Sequence, residues 1–339
     1  MTDVHSETPL DRLTSYLTKN DDFFVRHHWP AEAPDVAGWA LTIDGRVAQP
    51  LRLSLDELKE FPVATVTCVL QCAGKGRSFY EPAVPGLSWG PGAVGNARWT
   101  GARVRDLLEK AGLESDGGHL HTFGTDDPPV GGNPYHRSID LEKALADAIV
   151  AWEMNGEPLP AIHGAPARLV VPGWTGNHWM KWLARLSVRA QEQRGFFMEE
   201  EYRYPVRPGH PGVQIAPAEM RPVTELPVES AITAAPSVAR IGVPVPVSGF
   251  AFSGTPDVAK VEVSDDDGAS WMQARLDPRH DPFAWRLWSL SWTPRRTGRV
   301  RVAARATDCR GRVQPRDAVW NPGGLLHNGW RSVEVDVSE

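Results

Sequence analysis

From Tyr204 to Ser230 the chain reads YPVRPGHPGVQIAPAEMRPVTELPVES. Prolines crowd this stretch, and neither helical nor strand periodicity survives in it. Proline fixes φ and removes a backbone donor, so neither a helix nor a sheet ladder runs through such a segment. It reads as an extended connection, and the two sides of it differ in texture. Downstream lie VPVSGFAFS, VAKVEVSDDDGASWMQARL, AWRLWSLSWTP, GRVRVAARATD and RSVEVDV. These short alternating runs, separated by turn signals, predict an all-β sandwich of immunoglobulin-like (E-set) type. Upstream, helical and strand patterns mix. A chain of 339 residues is long for one domain. The expectation is an α+β domain over 1–222, followed by an immunoglobulin-like domain over 223–339.

Within the first part, GWALTIDGRVAQPLRLSLDELKEFP predicts strand, Asp-Gly turn, strand and a short helix. Ser54 caps that helix with Glu57 three residues on. ATVTCVLQCAG is an apolar, β-branched run and predicts a buried strand ending at Cys72. TGARVRDLLEKAGL predicts a helix with Val104, Leu107, Leu108 and Ala111 on one face, ended by Gly112. SIDLEKALADAIVAWEMNGEPLP predicts a second helix and then a strand entering an Asn-Gly turn. PARLVVPGW predicts a buried strand, and MKWLARLSVRA fits strand and helix equally.

Composition excludes several classes. A net charge of −6 gives no basic bias toward nucleic acid. No apolar run approaches the roughly 18 residues of a membrane span. The N-terminus shows neither a leader pattern nor a twin arginine, so the expected location is the cytoplasm, or the periplasm if a leader was removed. Three cysteines make no disulfide framework. The 31 glycines and 30 prolines favour turns and short strands over long helices.

The chemistry concentrates at CVLQCAGKGRSFYEPAVPGLSW. Cys68 and Cys309 read as inert. Cys72 differs, because Ala-Gly-Lys-Gly-Arg brings backbone N–H groups and the cations Lys75 and Arg77 toward its sulfur. Such surroundings favour thiolate over thiol. From the residues alone a metal ligand, a nucleophile and plain core remain equal readings. Cys-x3-Cys without a second pair at zinc spacing is a weak zinc signal. His119 and His121 form a His-x-His on a strand and read as structural. Trp152, Trp174 and Trp179 fit either a cofactor wall or packing.

Several segments, in order and over almost the full length, resemble the sulfite oxidase family of molybdenum enzymes. They are FFVRHHWP, LQCAGKGR, GLSWGPGAVGNARWTGARVRDLLEKAG, AWEMNGEPLPAIHGAPARLVVPGWTGNHWMKWLARLSV and PVESAITAAPSVARIGVPVPVSGFAFSGTPDVAKVEVSDDDGASW. The last resembles the family's C-terminal dimerisation domain. The resemblance implies that Cys72 is the single protein ligand to molybdenum, beside a pterin dithiolene and oxo groups. It places Arg26, Arg77, Trp89 and Tyr202 in the substrate pocket. It gives His28, His163, Arg168 and Lys181 to the molybdenum–molybdopterin cofactor, with Asp126 or Asp127 as an acidic partner. Arginine grips phosphate at two points and lysine at one, so these residue types suit a phosphorylated pterin.

The implied reaction is oxidation of sulfite to sulfate by oxo transfer. Electrons pass singly to an external acceptor such as a cytochrome, since the chain has no Cys-x-x-Cys-His and no haem domain is expected. The implied assembly is a homodimer. The sequence departs from the family at Lys75 and Gly76, and at Gly323 in VWNPGGLLHNGW, where the family carries a third pocket arginine. Arg316 and Arg331 are nearby candidates to replace it. That departure leaves room for a larger sulfur oxyanion. Nitrate reduction, and a non-catalytic cofactor-binding adaptor, are the alternative readings.

Overall fold

A computed structural model describes residues 5–29, 33–126 and 128–339. Asp127, one of the two candidate acidic partners, lies outside them. The first part of the chain builds two five-stranded sheets. One runs Glu157–Pro158, Ile149–Met154, Val94–Arg103, Val63–Gln71, with Arg168–Val170 also on the Ile149–Met154 strand. The other runs Leu51–Leu53, Leu41–Gly45, Leu183–Arg189, His119–Gly124, His136–Asp140. Pairing is antiparallel except between Leu41–Gly45 and Leu183–Arg189.

Local chemistry explains most of these elements. The Leu55–Lys59 helix starts in a capping box, in which Ser54 and Glu57 satisfy each other's backbone N–H. The Asn155–Gly156 turn follows Met154, and both residues have positive φ (58° and 85°), as a tight hairpin turn requires. The undecided MKWLARLSVRA segment is a strand, held between two neighbours that bury Leu183, Leu186 and Val188. The expected helix in TGARVRDLLEKAGL begins only at Val104. Thr100 to Arg103 instead prolong the Val94–Arg103 strand, because the Ile149–Met154 strand takes up their backbone groups. The four apolar positions named for the helix are all buried.

The proline-rich stretch is an ordered excursion, not an extended tether. Arg203–Pro205 pairs antiparallel with Met220–Pro222, so its two ends meet. Beyond it, a four-stranded and a five-stranded sheet enclose a core that includes Val247, Val261, Trp288, Trp292 and Val302. Trp285, Trp288 and Trp292 are all buried.

The two halves share apolar surface. Leu13 and Tyr16 of the N-terminal segment, Val69 and Val94 of the first sheet, and Phe250, Phe252 and Trp285 of the sandwich form one cluster. Trp285 donates its indole N–H to the Tyr16 carbonyl at 2.8 Å. Burying such aromatic surface stabilises the joint by roughly 1.5–3 kcal/mol for each large side chain.

Candidate active site

The Val63–Gln71 strand ends at the edge of a cavity, and Cys72 is the first residue past it. The Cys72 N–H donates to the Ala93 carbonyl at 2.9 Å, which fixes the corner. Its carbonyl accepts from the Lys75 N–H at 3.0 Å, closing a tight turn. Cys72, Arg26, His28, Asp126, His163, Arg168, Lys181 and Tyr202 all line this cavity. Trp179 lines it too, while Trp152 is buried in the core and Trp174 packs against that core.

Arg77 and Trp89 are placed beside the cavity and do not line it. The Arg77 guanidinium lies in a slot, where Nε donates to the Gly323 carbonyl and Nη1 to the Leu87 carbonyl, both at 3.2 Å. A Cβ on Gly86 would come within 2.5 Å of Arg77 Nη1, and one on Gly74 within 2.8 Å of Nη2, so only glycine leaves this slot open. Trp89 is buried in the core and meets the His5 ring edge-on.

Gly323, where the resemblance expects an arginine, thus contributes a carbonyl that holds Arg77. Neither suggested substitute reaches the cavity. Arg316 pairs with Asp267 at 2.6 Å, and Arg331 lies over the Phe79 ring at 3.5 Å. Lys75 is buried and pairs with Glu229 of the sandwich at 2.5 Å.

The expected thiolate needs correction. Burial pushes the Cys72 thiol up, and this outweighs the Gly74 N–H and the charges of Arg26, Arg77 and Lys75. The apolar walls take more from the anion than the cations return, so the sulfur by itself is a thiol. A bound metal reverses that balance, since coordination deprotonates a thiol. The zinc reading finds no geometry. Cys68 is fully buried in the core, and no three His, Cys, Asp or Glu side chains gather at metal distance among the described residues. His119 and His121 keep structural partners, Asp140 and the Gln191 carbonyl.

Around Cys72 the cavity is rich in cations. Arg168 donates to the His163 carbonyl at 2.9 Å and lies over the Trp99 and Trp179 rings, while its Nε is buried without a partner. Lys181 Nζ donates to the Arg26 carbonyl at 3.2 Å. Arg26 Nη1 is buried and unpartnered. Burial pushes Lys181 well below its usual value, Arg168 and Arg26 add to this, and Asp126 opposes it. Asp126 is the only carboxylate among the described lining residues. Buried charges normally have partners, because desolvating each ion costs several kcal/mol. A polyanion beside Cys72 would satisfy these groups. The donor set therefore fits a phosphorylated pterin carrying a thiolate-seeking metal.

The histidines here are neutral. Burial, with Arg26, Lys181 and Arg137, pushes His28 down to about 2. Burial pushes His163 down to about 4 against the Asn20 carbonyl it meets at 3.1 Å. Tyr202 has a left-handed backbone (φ 53°), and its hydroxyl is hydrogen-bonded to His28 Nε2 at 2.9 Å. Burial pushes the Tyr202 phenol up to about 12, with Arg26 and Arg137 opposing. His28 in turn stacks on Tyr135 at 4.2 Å.

Three of these residues escaped the sequence reading. Tyr135 and Asn177 line the cavity, and Arg137 stands behind it, over the Tyr202 ring at 5.4 Å. The sequence reading passed over Arg137, although the alternation in HRSID sets it on the same strand face as the buried Ile139.

Two family models match the chain. "Oxidoreductase molybdopterin binding domain" covers residues 28–197, and "Mo-co oxidoreductase dimerisation domain" covers 220–338. Mitochondrial sulfite oxidase of Rattus norvegicus is 38% identical over 359 aligned positions, covering 98% of this chain. The chain spans 64% of that protein's length. Sulfite oxidase of Arabidopsis thaliana is 33% identical, covering 97% of this chain and 91% of that protein. Among solved structures, the sulfane dehydrogenase SoxCD of Paracoccus pantotrophus superposes with a TM-score of 0.84 at 29% identity, over 99% of this chain and 86% of that one. Motif order, a cation-rich cavity at a single cysteine, and these matches agree, and the chain belongs to the sulfite oxidase family of molybdopterin-binding oxidoreductases.

Proposed function

We propose that this chain holds a molybdenum–molybdopterin group through Cys72 and oxidises a small sulfur oxyanion, sulfite before others, delivering the electrons singly to an external acceptor such as a cytochrome. The observation that carries this reading is the set of buried cations around one cysteine, with Asp126 as their only acidic lining neighbour among the described residues. Sulfite and water become sulfate with release of two electrons and two protons, so the atoms and charges balance. When bound, the group supplies oxygen-atom transfer to the sulfur lone pair and takes up the electron pair.

The protein's own residues do the rest. Cys72 anchors the metal at the cavity edge. Arg168, Lys181 and His163 hold the phosphorylated pterin, with Asp126 beside Lys181. Arg26, which lines the cavity and has a buried, unpartnered Nη1, meets the anion directly. Arg77 acts from its slot at longer range, where low polarity lets charge count for more than in water. Tyr202 and His28 form a neutral hydrogen-bonded pair that orients the phenol toward substrate. Trp89 stays in the core, outside this lining set. The division falls at 222, with 1–222 carrying the site and 223–339 forming a homodimer interface. No haem is required within the chain.

The test is molybdenum content per chain, wild type beside Cys72→Ser, from a host that makes the cofactor, together with sulfite-dependent reduction of cytochrome c. Near-stoichiometric metal and sulfite turnover in the wild type, both lost in the variant, support the reading. A folded wild type without molybdenum overturns it and leaves the adaptor. Metal with turnover of nitrate but not sulfite moves the reaction to the reductive direction.

A further inference from the structure

Arg137 is fully buried on the His136–Asp140 strand, yet it has almost nothing to bind. Its Nε and Nη1 have no hydrogen-bond partner. Its Nη2 approaches His178 Nε2 at 3.2 Å, but the Val223 carbonyl meets that same nitrogen at 2.8 Å. One ring nitrogen cannot donate to the carbonyl and also accept from the guanidinium, so this contact is weak at best. No carboxylate pairs with Arg137 among the described residues, and Glu192 reaches it only through space. For a scaffold this is a poor arrangement, since an apolar side chain of similar volume would avoid the desolvation cost.

The guanidinium lies over the face of the Tyr202 ring, 5.4 Å from its centre. Tyr202 lines the same cavity as Cys72 and Arg26. Position 323 meanwhile carries no side chain, and Arg316 and Arg331 are engaged elsewhere. We propose that Arg137 is a positioning residue of the anion site: seated behind Tyr202, it supplies the third positive charge that Gly323 does not. It acts through the Tyr202 ring, whose hydroxyl it makes a stronger donor to a bound oxyanion, and it touches neither substrate nor cofactor.

This rests on the reading of the cavity as an oxyanion site, and its test stands apart from turnover. Sulfate binding to the molybdenum-loaded protein is followed by tryptophan fluorescence, since Trp179 lines the cavity. The proteins are wild type, Arg137→Met, Arg137→Lys and Tyr202→Phe, with the Arg137→Met/Tyr202→Phe double variant. We expect Arg137→Met to keep its metal and to match or exceed the wild-type melting temperature. We expect it to bind sulfate about tenfold more weakly, the order of one charge acting at this range in a protein interior. KM for sulfite should rise in step while kcat changes less. Arg137→Lys should recover most of the affinity, and the Arg137→Met effect should shrink once Tyr202 is phenylalanine. Should Arg137→Met fail to fold, Arg137→Gln carries the same comparison. Unchanged sulfate affinity in the variant overturns the proposal while the oxidase reading stands. A wild type that binds sulfate but never turns over sulfite defeats the oxidase reading, and the variants still decide this one. A wild type that binds no sulfate overturns this proposal, and sulfite turnover then decides the oxidase reading by itself.

Discussion

The cations of the cavity and those of the sandwich live under different rules. In the sandwich, arginines have carboxylates at hand: Arg286 meets Asp257 and Arg305 meets Glu262 at 3.0 Å, and Arg312 meets Asp308 at 2.7 Å. In the cavity, Arg26, Arg168 and Lys181, with Arg137 behind it, are served by carbonyls, aromatic faces and one shared aspartate neighbourhood. The first set is complete as folded. The second is arranged for an anion that the polypeptide does not contain, and the difference locates the site without any bound molecule.

The comparison breaks most sharply at the metal anchor. Cys72→Ser should abolish sulfite turnover and strip or alter the molybdenum, measured by elemental analysis and cytochrome c reduction. Next comes the anion itself. Arg26→Ala should lower kcat/KM for sulfite by about a hundredfold, as losing one preorganised charge commonly does. The joint Arg26→Ala/Arg77→Ala variant should fall further and keep its metal. Turnover untouched by the double change would remove both arginines from the pocket.

A third prediction concerns the one cation near Cys72 that is paired as in the sandwich. Removing either partner of the buried Lys75–Glu229 pair, by Lys75→Met or Glu229→Gln, should cost about 3–5 kcal/mol in chemical denaturation. Replacing both together should cost much less, because no buried charge is then left alone.

The two regions also separate by pH. His28 and His163 have folded values of about 2 and about 4, against 6.5 unfolded. The unfolded chain therefore binds protons first as pH falls, and cofactor-free protein loses stability from about pH 6.5 downward, by about 2–3 kcal/mol per histidine near pH 4.5. The sandwich carboxylate Asp308 behaves otherwise. Burial raises Asp308, but its bonds to Arg312 and Ser253 outweigh that and leave it below its usual 3.8, so its contribution is lost only at lower pH. Thermal denaturation between pH 6.5 and 4.5 should show the loss, and His163→Asn should flatten it. An unchanged slope would mean that the histidine is not buried neutral. The smallest effect belongs to an exposed sandwich pair: Arg316→Ala should shift stability by less than about 1 kcal/mol and leave turnover alone.

Much of this was legible in the residues. The sandwich followed from alternation and turn spacing. The strand ending at Cys72 followed from its β-branched run, and Arg26, His28, His163, Arg168, Lys181 and Tyr202 came from motifs that lie contiguous in the chain. What was not legible depends on distance along the chain. The Arg77 slot is closed by Gly323, 246 residues away. The rise in the Cys72 value comes from burial that a count of neighbouring cations could not foresee. Arg137 shares a strand face with Ile139, so its inward turn was legible, but only the fold shows how few partners it finds there and that it lies over Tyr202.

The loop that follows Cys72 is fastened largely by the other half of the molecule. Lys75 is held by Glu229, Arg77 by Gly323, Tyr80 by Leu325, and the Ala73 carbonyl by the Leu326 N–H. A lineage carrying this architecture is therefore not free to trade its C-terminal module for another sandwich, however well the newcomer pairs with itself. The metal-bearing corner and the distant chain that clamps it must be inherited together, and a successful chimera would have to bring Glu229, Gly323 and Leu325 with the graft.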